Sequence, residues 1–200
     1  MRWKSCIVDL ALLVAGANIA IAADWNATEQ VKTYKVAGTT GIELYEAIGA
    51  KGPLLGGSSR AIAYTTFDLK WRRDYRPQAD GSCKLVSAIP FLTIIYTWPE
   101  PAQKLPEPTA RLWKTFIDGI KVHEKIHGEM IRDMVQQILD TTVGLTVPAD
   151  PGCQQIRQEI QTPLGAASEQ QRARSREFDR VEMGGGGNVH RLVLGLVNGG

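Results

Sequence analysis

The segment that follows the proline-rich stretch PEPAQKLPEP constrains the fold most. From Thr109 onward, apolar residues recur at helical spacing until Gly144, and the prolines before this run and the glycine after it mark the ends of one long helix. An amphipathic helix must bury its apolar face against other elements. The first expectation is therefore a domain whose core lies along one side of this helix.

Two histidines belong to that apolar face. At about 100° per residue, the side chains that fall within an arc of about 80° are Leu112, Phe116, Ile120, His123, His127, Met130, Met134 and Ile138. Charged residues occupy the other sides of the helix. Because an unpaired buried polar group costs roughly 1 to 3 kcal/mol, two inward imidazoles need partners.

The stretch KVHEKIHGEM, residues 121–130, suggests what that partner is. His123 and His127 are one turn apart, so their ring nitrogens can share one metal ion, and Glu124 projects beside that ion. Zinc hydrolases use this arrangement, in which the carboxylate acts first as general base and then as general acid. The pattern predicts Zn²⁺ ligands at His123 and His127 and a catalytic Glu124, with a metal-free core pair as the alternative.

The residues before the long helix favour a strand, a short helix and a long antiparallel hairpin. VKTYKVAG is typical of a strand and TTGIELYEAIGAKGP of a capped helix. AIAYTTFDLKWRRDY and CKLVSAIPFLTIIYTW alternate as the arms of the hairpin, where Pro90 indicates an edge or a bulge.

Further helices are expected after the long one. Asp150 and Pro151 predict the start of a second helix that ends at Thr162 and Pro163, and a third runs from Ser168 to about Met183. The predicted class is α+β, with a small antiparallel sheet packed with the long helix and two or three others. Residues 184–200 are predicted to be a glycine-rich flexible tail.

The N-terminus predicts export. A basic start, an apolar stretch and small residues at Ala20–Ala22 are typical of a signal peptide over residues 1–22, although a stretch of roughly 17 apolar residues can also anchor a chain in a bilayer. The main domain is then 23–183. In an oxidising compartment Cys83 and Cys153 are expected to pair, with two free thiols as the alternative.

A broader likeness adds to these expectations. The segments that carry it lie within about residues 31–183 and are YKVAGTTGIELYEAIGAKGP, RAIAYTTFDLKWRRDY, GSCKLVSAIPFLTIIYTWP, HEKIHGE, GCQQI and REFDRVE. Together they resemble a bacterial family of predicted secreted zinc-dependent proteases, domain of unknown function 922. The resemblance implies a zincin-like metalloprotease domain, Zn²⁺ as cofactor and a peptide or protein as substrate. That family's protease assignment itself rests largely on the helix motif.

One position departs from the family. Gly184 stands where the family usually has a histidine, so the third protein ligand of a catalytic zinc is open. Glu182, as a carboxylate near the end of the last helix, and His190, from the tail, are the leading candidates. Asp133 points away from the histidines on an unbroken helix, and the remaining hypotheses are Glu177, Asp179 or no third ligand.

These patterns leave three functions open. The favoured one is a secreted or periplasmic zinc peptidase; the alternatives are a catalytically inactive binding or scaffold relative that lost its third ligand, and a metallohydrolase that cleaves cell-wall amides. With 23 Lys and Arg against 21 Asp and Glu, no nucleic-acid partner is expected. No stable membrane association is expected if the signal peptide is cleaved, and the sequence does not indicate an oligomeric state.

Overall fold

The structure is a computed structural model that describes residues 25–55 and 57–199. Its elements are β1 (Thr28–Val36), α1 (Gly41–Lys51), β2 (Tyr64–Pro77), β3 (Cys83–Pro101), α2 (Thr109–Thr142), β4 (Thr146–Val147), α3 (Gln155–Glu159), α4 (Gln161–Met183) and α5 (Asn188–Asn198). The α+β class is confirmed. The predicted signal peptide, residues 1–22, lies outside the described residues, and no described helix is both long and apolar enough for a membrane span.

The sheet is built on the predicted hairpin, but it is mixed. β2 and β3 pair antiparallel, whereas β1 pairs with β3 in parallel, with Thr28 opposite Thr93. The expectation of an antiparallel sheet is therefore wrong for β1, because alternation identifies a strand but not the direction of its neighbour. In the order β1-β3-β2, β2 has no second neighbouring strand among the described residues.

Pro90 lies in a part of β3 that has a strand on one side only. It is opposite Trp71 of β2, and the pairing with β1 starts three residues later at Thr93. Such an edge-like position tolerates a residue without an N–H group. The ladder also contains a bulge, at Asp74 and Tyr75.

The core lies between α2 and the sheet, as the long helical period predicts. α2 ends at Thr142, just before Gly144, whose φ of 92° favours glycine. Its buried apolar side chains pack against β3. Prominent members of this cluster are Trp113, Phe116, Ile120, Ile131, Met134, Val135 and Ile138 of α2 and Leu92, Ile94, Tyr96 and Trp98 of β3.

The predicted disulfide joins the start of β3 to the segment before α3. Cys83 and Cys153 are bonded and lie in a second small core with Leu85 and Ile156. A bridge that closes a loop of 70 residues stabilises the fold by about 4 kcal/mol in the chain-entropy model. The bridge holds the segment around Cys153, from which α3 and then α4 continue, against the start of β3.

The boundaries of these two helices differ from the prediction. α3 is a single short turn, and α4 begins at Gln161, so Pro163 lies in the first turn of a helix and does not end one. Proline is compatible with this place because the first N–H groups of a helix have no intrahelical partner. Asp150 still caps the region, since its carboxylate accepts hydrogen bonds from the backbone N–H groups of Gln154 and Ile156.

The expected flexible tail contains a helix. α5 packs on α1 and α2, with Val189 and Leu196 buried. A Cβ atom on Gly41 would lie 1.8 Å from the carbonyl oxygen of Leu196, so the two helices are in close contact there. The prediction for 184–200 overlooked a helical period, because the apolar residues recur at i, i+3, i+4 and i+7; they are Val189, Leu192, Val193 and Leu196.

Candidate metal centre

The predicted residues of α2 lie together at a cavity between α2, α4 and the edge strand β2. His123, Glu124 and His127 all line this cavity, whose volume is about 470 Å³. His123 is 2 % exposed and Glu124 is 5 % exposed. Because residues four apart lie on the same face of a helix, His123 and His127 both point into this cavity.

A third donor comes from α4. The Oδ1 atom of Asp179 lies 3.1 Å from the Nε2 atom of His123 and 2.9 Å from the Nε2 atom of His127. The two Nε2 atoms are 3.2 Å apart. Ligand atoms at 2.0 to 2.1 Å from a tetrahedral Zn²⁺ lie roughly 3.3 Å from each other. Both the donor set and its spacing fit a zinc ion.

The outer face of each imidazole is also packed against α4. The Nδ1 atom of His127 is 3.3 Å from the hydroxyl of Ser175, and the ring of Phe178 stacks on His123 with centroids 4.7 Å apart. The Nδ1 atom of His123 is buried without a hydrogen-bond partner among the described residues, and the nearest carboxylate oxygen, of Glu182, is 3.8 Å away. An Nε2-bound metal leaves the proton on Nδ1, where a carboxylate is the usual acceptor.

The carboxylate of Asp179 and the imidazole of His127 alter each other's ionisation. Burial opposes the charged form of Asp179, but hydrogen bonds from both histidines outweigh it and lower the pKa of Asp179 from 3.8 to about 2. Burial likewise disfavours protonated His127, yet the hydrogen bond to Asp179 and its negative charge raise the pKa of His127. Asp179 is therefore ionised at neutral pH, as a metal ligand must be.

Glu124 is held beside this group and not within it. The Thr65 hydroxyl donates a 2.6 Å hydrogen bond to the Glu124 carboxylate and also lies 3.1 Å from its backbone oxygen. Burial raises the pKa of Glu124, and the bond from Thr65 lowers it by less. A buried carboxylate with a raised pKa is better suited to take and return a proton near neutral pH.

The candidates for the third ligand are placed differently. Glu182 reaches the outer side of His123, and His190 lies on α5, where its Nδ1 atom accepts the N–H of Gly186. Asp133 forms an ion pair with Arg174. Gly184 is the C-terminal capping residue of α4, directly after Met183. Neither leading candidate completes the group.

Asp179 is only a minor hypothesis from the sequence, although a pattern in α4 favours it. The side chains that approach the histidines recur at i, i+3, i+4 and i+7, which is one face of a helix; they are Ser175, Phe178, Asp179 and Glu182. This spacing is the sequence signal for Asp179, which lies in the middle of that face.

Fold and site together define a class: an α+β domain in which a His-Glu-x-x-His helix and an aspartate from a second helix form a candidate metal-binding triad. The chain belongs to the family described as bacterial protein of unknown function (DUF922), which matches residues 31–187. No curated protein and no solved structure matches the chain.

Proposed function

We propose that this protein is a zinc-dependent peptidase that hydrolyses peptide bonds outside the cytoplasm. The observation that carries the proposal is the convergence of His123, His127 and Asp179, with donor atoms 2.9 to 3.2 Å apart, beside buried Glu124. Two imidazoles and one carboxylate are a donor set of catalytic zinc sites.

The chemistry divides between the ion and Glu124. When bound, Zn²⁺ supplies Lewis acidity, which favours deprotonation of water near neutral pH and polarises a carbonyl group. Glu124 takes a proton from the attacking water, whose oxygen forms a bond to the carbonyl carbon, and returns that proton to the nitrogen as the C–N bond breaks. Thr65 keeps the carboxylate of Glu124 in place through its 2.6 Å hydrogen bond.

The edge of the sheet supports a peptide as the substrate. Residues 64–67 of β2 line the cavity that contains the site, and the other side of β2 has no neighbouring strand within the described part of the chain. An extended peptide can add to such an edge through main-chain hydrogen bonds. Its scissile bond would then lie along the cavity and near Glu124.

Asp179 and the disulfide bear on the remaining alternatives. The glycine at position 184 favours the alternative of an inactive relative that lost its third zinc ligand. Asp179 weakens that alternative, because it offers a third donor atom from another position. The bridge between Cys83 and Cys153 suits an oxidising compartment, which supports a secreted or periplasmic location. A cell-wall amide remains a second substrate to test, because water activation is the same for either amide.

The test combines metal content with two activities. Residues 23–200 are purified, their zinc is quantified, and hydrolysis of casein and of peptidoglycan is measured. We expect about one zinc per chain in the wild type, as one three-ligand site requires, and a large loss of zinc in His123→Ala and Asp179→Ala. His190→Ala is the matched control, since it also removes a histidine, but one that lies outside the triad and bonds to Gly186.

Glu124→Gln separates binding from catalysis. The amide keeps the shape of the side chain but cannot take up a proton, so this variant should retain zinc and lose hydrolysis. Equal and negligible zinc in the wild type and His123→Ala would contradict the metal site. Zinc binding without hydrolysis of either substrate would contradict the peptidase and favour a binding module.

A further inference from the structure

One wall of the active-site cavity carries two arginines that the proposed reaction does not use. Arg172 and Arg176 are one helical turn apart on α4, and both line the cavity that holds His123, Glu124 and His127. They precede Asp179 on the same helix. Their positive charges therefore lie where a substrate bound at the metal centre would extend.

These two guanidinium groups share one carboxylate. Glu169 accepts hydrogen bonds from Nε and Nη2 of Arg172, at 3.2 and 2.8 Å, and from Nη2 of Arg176, at 3.1 Å. One negative charge between two positive charges leaves a positive excess at this end of the wall, because the ionised Asp179 further along α4 is engaged by the two histidines. Because each guanidinium has five N–H donors, most of the ten remain available after these three bonds.

Two other arginines of α4 serve as a comparison. Arg174 pairs with Asp133, and Arg180 pairs with Glu177, so each of them has a carboxylate of its own. Neither residue lines the cavity. The positive excess is thus a property of the cavity wall and not of the whole helix.

Apolar side chains line another part of the cavity. Ile131 and Met134, one and two turns after His127 on α2, are 2 % and 3 % exposed and line the same cavity as the arginines. A ligand in this cavity therefore meets apolar side chains as well as cationic donors. Guanidinium groups in clefts favour carboxylates, which they bind with two parallel hydrogen bonds.

We infer that Arg172 and Arg176 form a subsite for a carboxylate of the substrate, next to an apolar side chain. The inference rests on the proposed peptidase function, since it assigns the substrate class of that same site. The carboxylate can belong to an acidic side chain or to the C-terminus of the peptide. Both sources present the same chemistry to the guanidinium groups.

The experiment measures peptide binding and cleavage separately. The probes are peptides of one sequence with a leucine beside either glutamate or glutamine, each made with a free and with an amidated C-terminus. Binding is titrated on Glu124→Gln protein with and without Zn²⁺, and cleavage is followed with the wild type. Arg172→Gln with Arg176→Gln is the test variant, and Arg174→Gln is the matched control.

We expect a free carboxylate to strengthen binding by about three- to tenfold, the range of exposed to partly desolvated charge-assisted pairs. The double variant should lose this preference, the control should keep it, and added salt should weaken it. If binding weakens when glutamate is replaced by glutamine, the bound carboxylate is that of the side chain. If binding weakens when the C-terminus is amidated, the bound carboxylate is that of the C-terminus.

Three results would overturn the subsite: equal binding of charged and neutral peptides, an equal loss of preference in Arg174→Gln, or no binding of any peptide. Carboxylate-dependent binding without cleavage has a different meaning. It would leave the subsite in place and reject the peptidase, so the two proposals fail separately.

Discussion

Gly128, which directly follows His127, offers a sharp test of how α2 is positioned. A Cβ atom at this glycine would lie 2.2 Å from the hydroxyl oxygen of Tyr96 on β3. Tyr96 is fully buried, and its hydroxyl donates a hydrogen bond to Glu29. Neither the backbone of α2 nor this side chain can move away without disturbing another contact. We therefore expect Gly128→Ala to destabilise the protein, although alanine is the better helix former.

The size of the effect follows from three contributions. Overpacking of a filled core costs about 1 to 3 kcal/mol, and weakening the bond between Tyr96 and Glu29 adds roughly 0.5 to 1.5 kcal/mol. The helix propensity of alanine returns at most about 1 kcal/mol. The net expectation is a loss of about 0.5 to 4.5 kcal/mol in the free energy of unfolding. A displaced helix would also move His127, so zinc affinity should fall together with stability.

Chemical denaturation and zinc titration check both effects. Gly49→Ala is the control, because a Cβ atom at this glycine of α1 would have no neighbouring atom within 4 Å; it should stabilise by up to about 1 kcal/mol. Removing the tyrosine hydroxyl, as Tyr96→Phe, should relieve much of the cost of Gly128→Ala in the double variant. An unchanged stability for Gly128→Ala, or simple additivity in the double variant, would refute the proposed contact.

Two further predictions concern Glu182 and Asp150. If Glu182 orients His123 through Nδ1, Glu182→Ala should weaken zinc binding by about 10- to 100-fold. Glu182→Gln, which keeps a carbonyl acceptor, and the exposed control Glu177→Ala should change zinc binding little. Equal losses of zinc affinity in Glu182→Ala and Glu182→Gln would instead indicate that Glu182 is a metal ligand. Burial opposes ionisation of Asp150, but its backbone hydrogen bonds outweigh burial and lower the pKa of Asp150 below 3.8. Its stabilising contribution is thus present above the unfolded-state pKa and lost as the pH falls through the lower folded-state value. Asp150→Asn should have a lower melting temperature than the wild type at pH 7, and the difference should shrink below about pH 4; a difference that is the same at both pH values would contradict this role.

The sequence predicts best the elements in which the spacing of apolar residues shows which face is buried. α2 carries an apolar face along its whole length, so the inward direction of His123 and His127 follows from spacing, and the flanking prolines and Gly144 predict its ends. The hairpin of β2 and β3 alternates over many residues, which predicts both of its arms. Local patterns were enough in both regions.

Contacts between distant segments are less accessible from the sequence. Among the residues of α4, Ala167 alone is fully buried, because much of this helix faces the cavity and solvent instead of the core. It therefore lacks the strong apolar stripe that would reveal which side meets α2. The parallel pairing of β1 also depends on a long-range choice of partner. For this shared reason the sequence ranks Asp179 below Glu182 and His190 as the third ligand and does not predict the direction of β1.

Asp179 gives the proposed metal site a third protein donor without a histidine at position 184, where the resemblance led us to expect one. Asp179 lies within α4, whereas Gly184 is the C-terminal capping residue directly after that helix, so a ligand at 179 is held by the helix and by its packing on α2. Ligands on regular elements are positioned more rigidly than ligands on loops. The aspartate also brings a negative charge that two neutral imidazoles lack, which favours a divalent cation over an empty cluster of donors. The substitution Gly184→His should consequently add little zinc affinity while Asp179 is present.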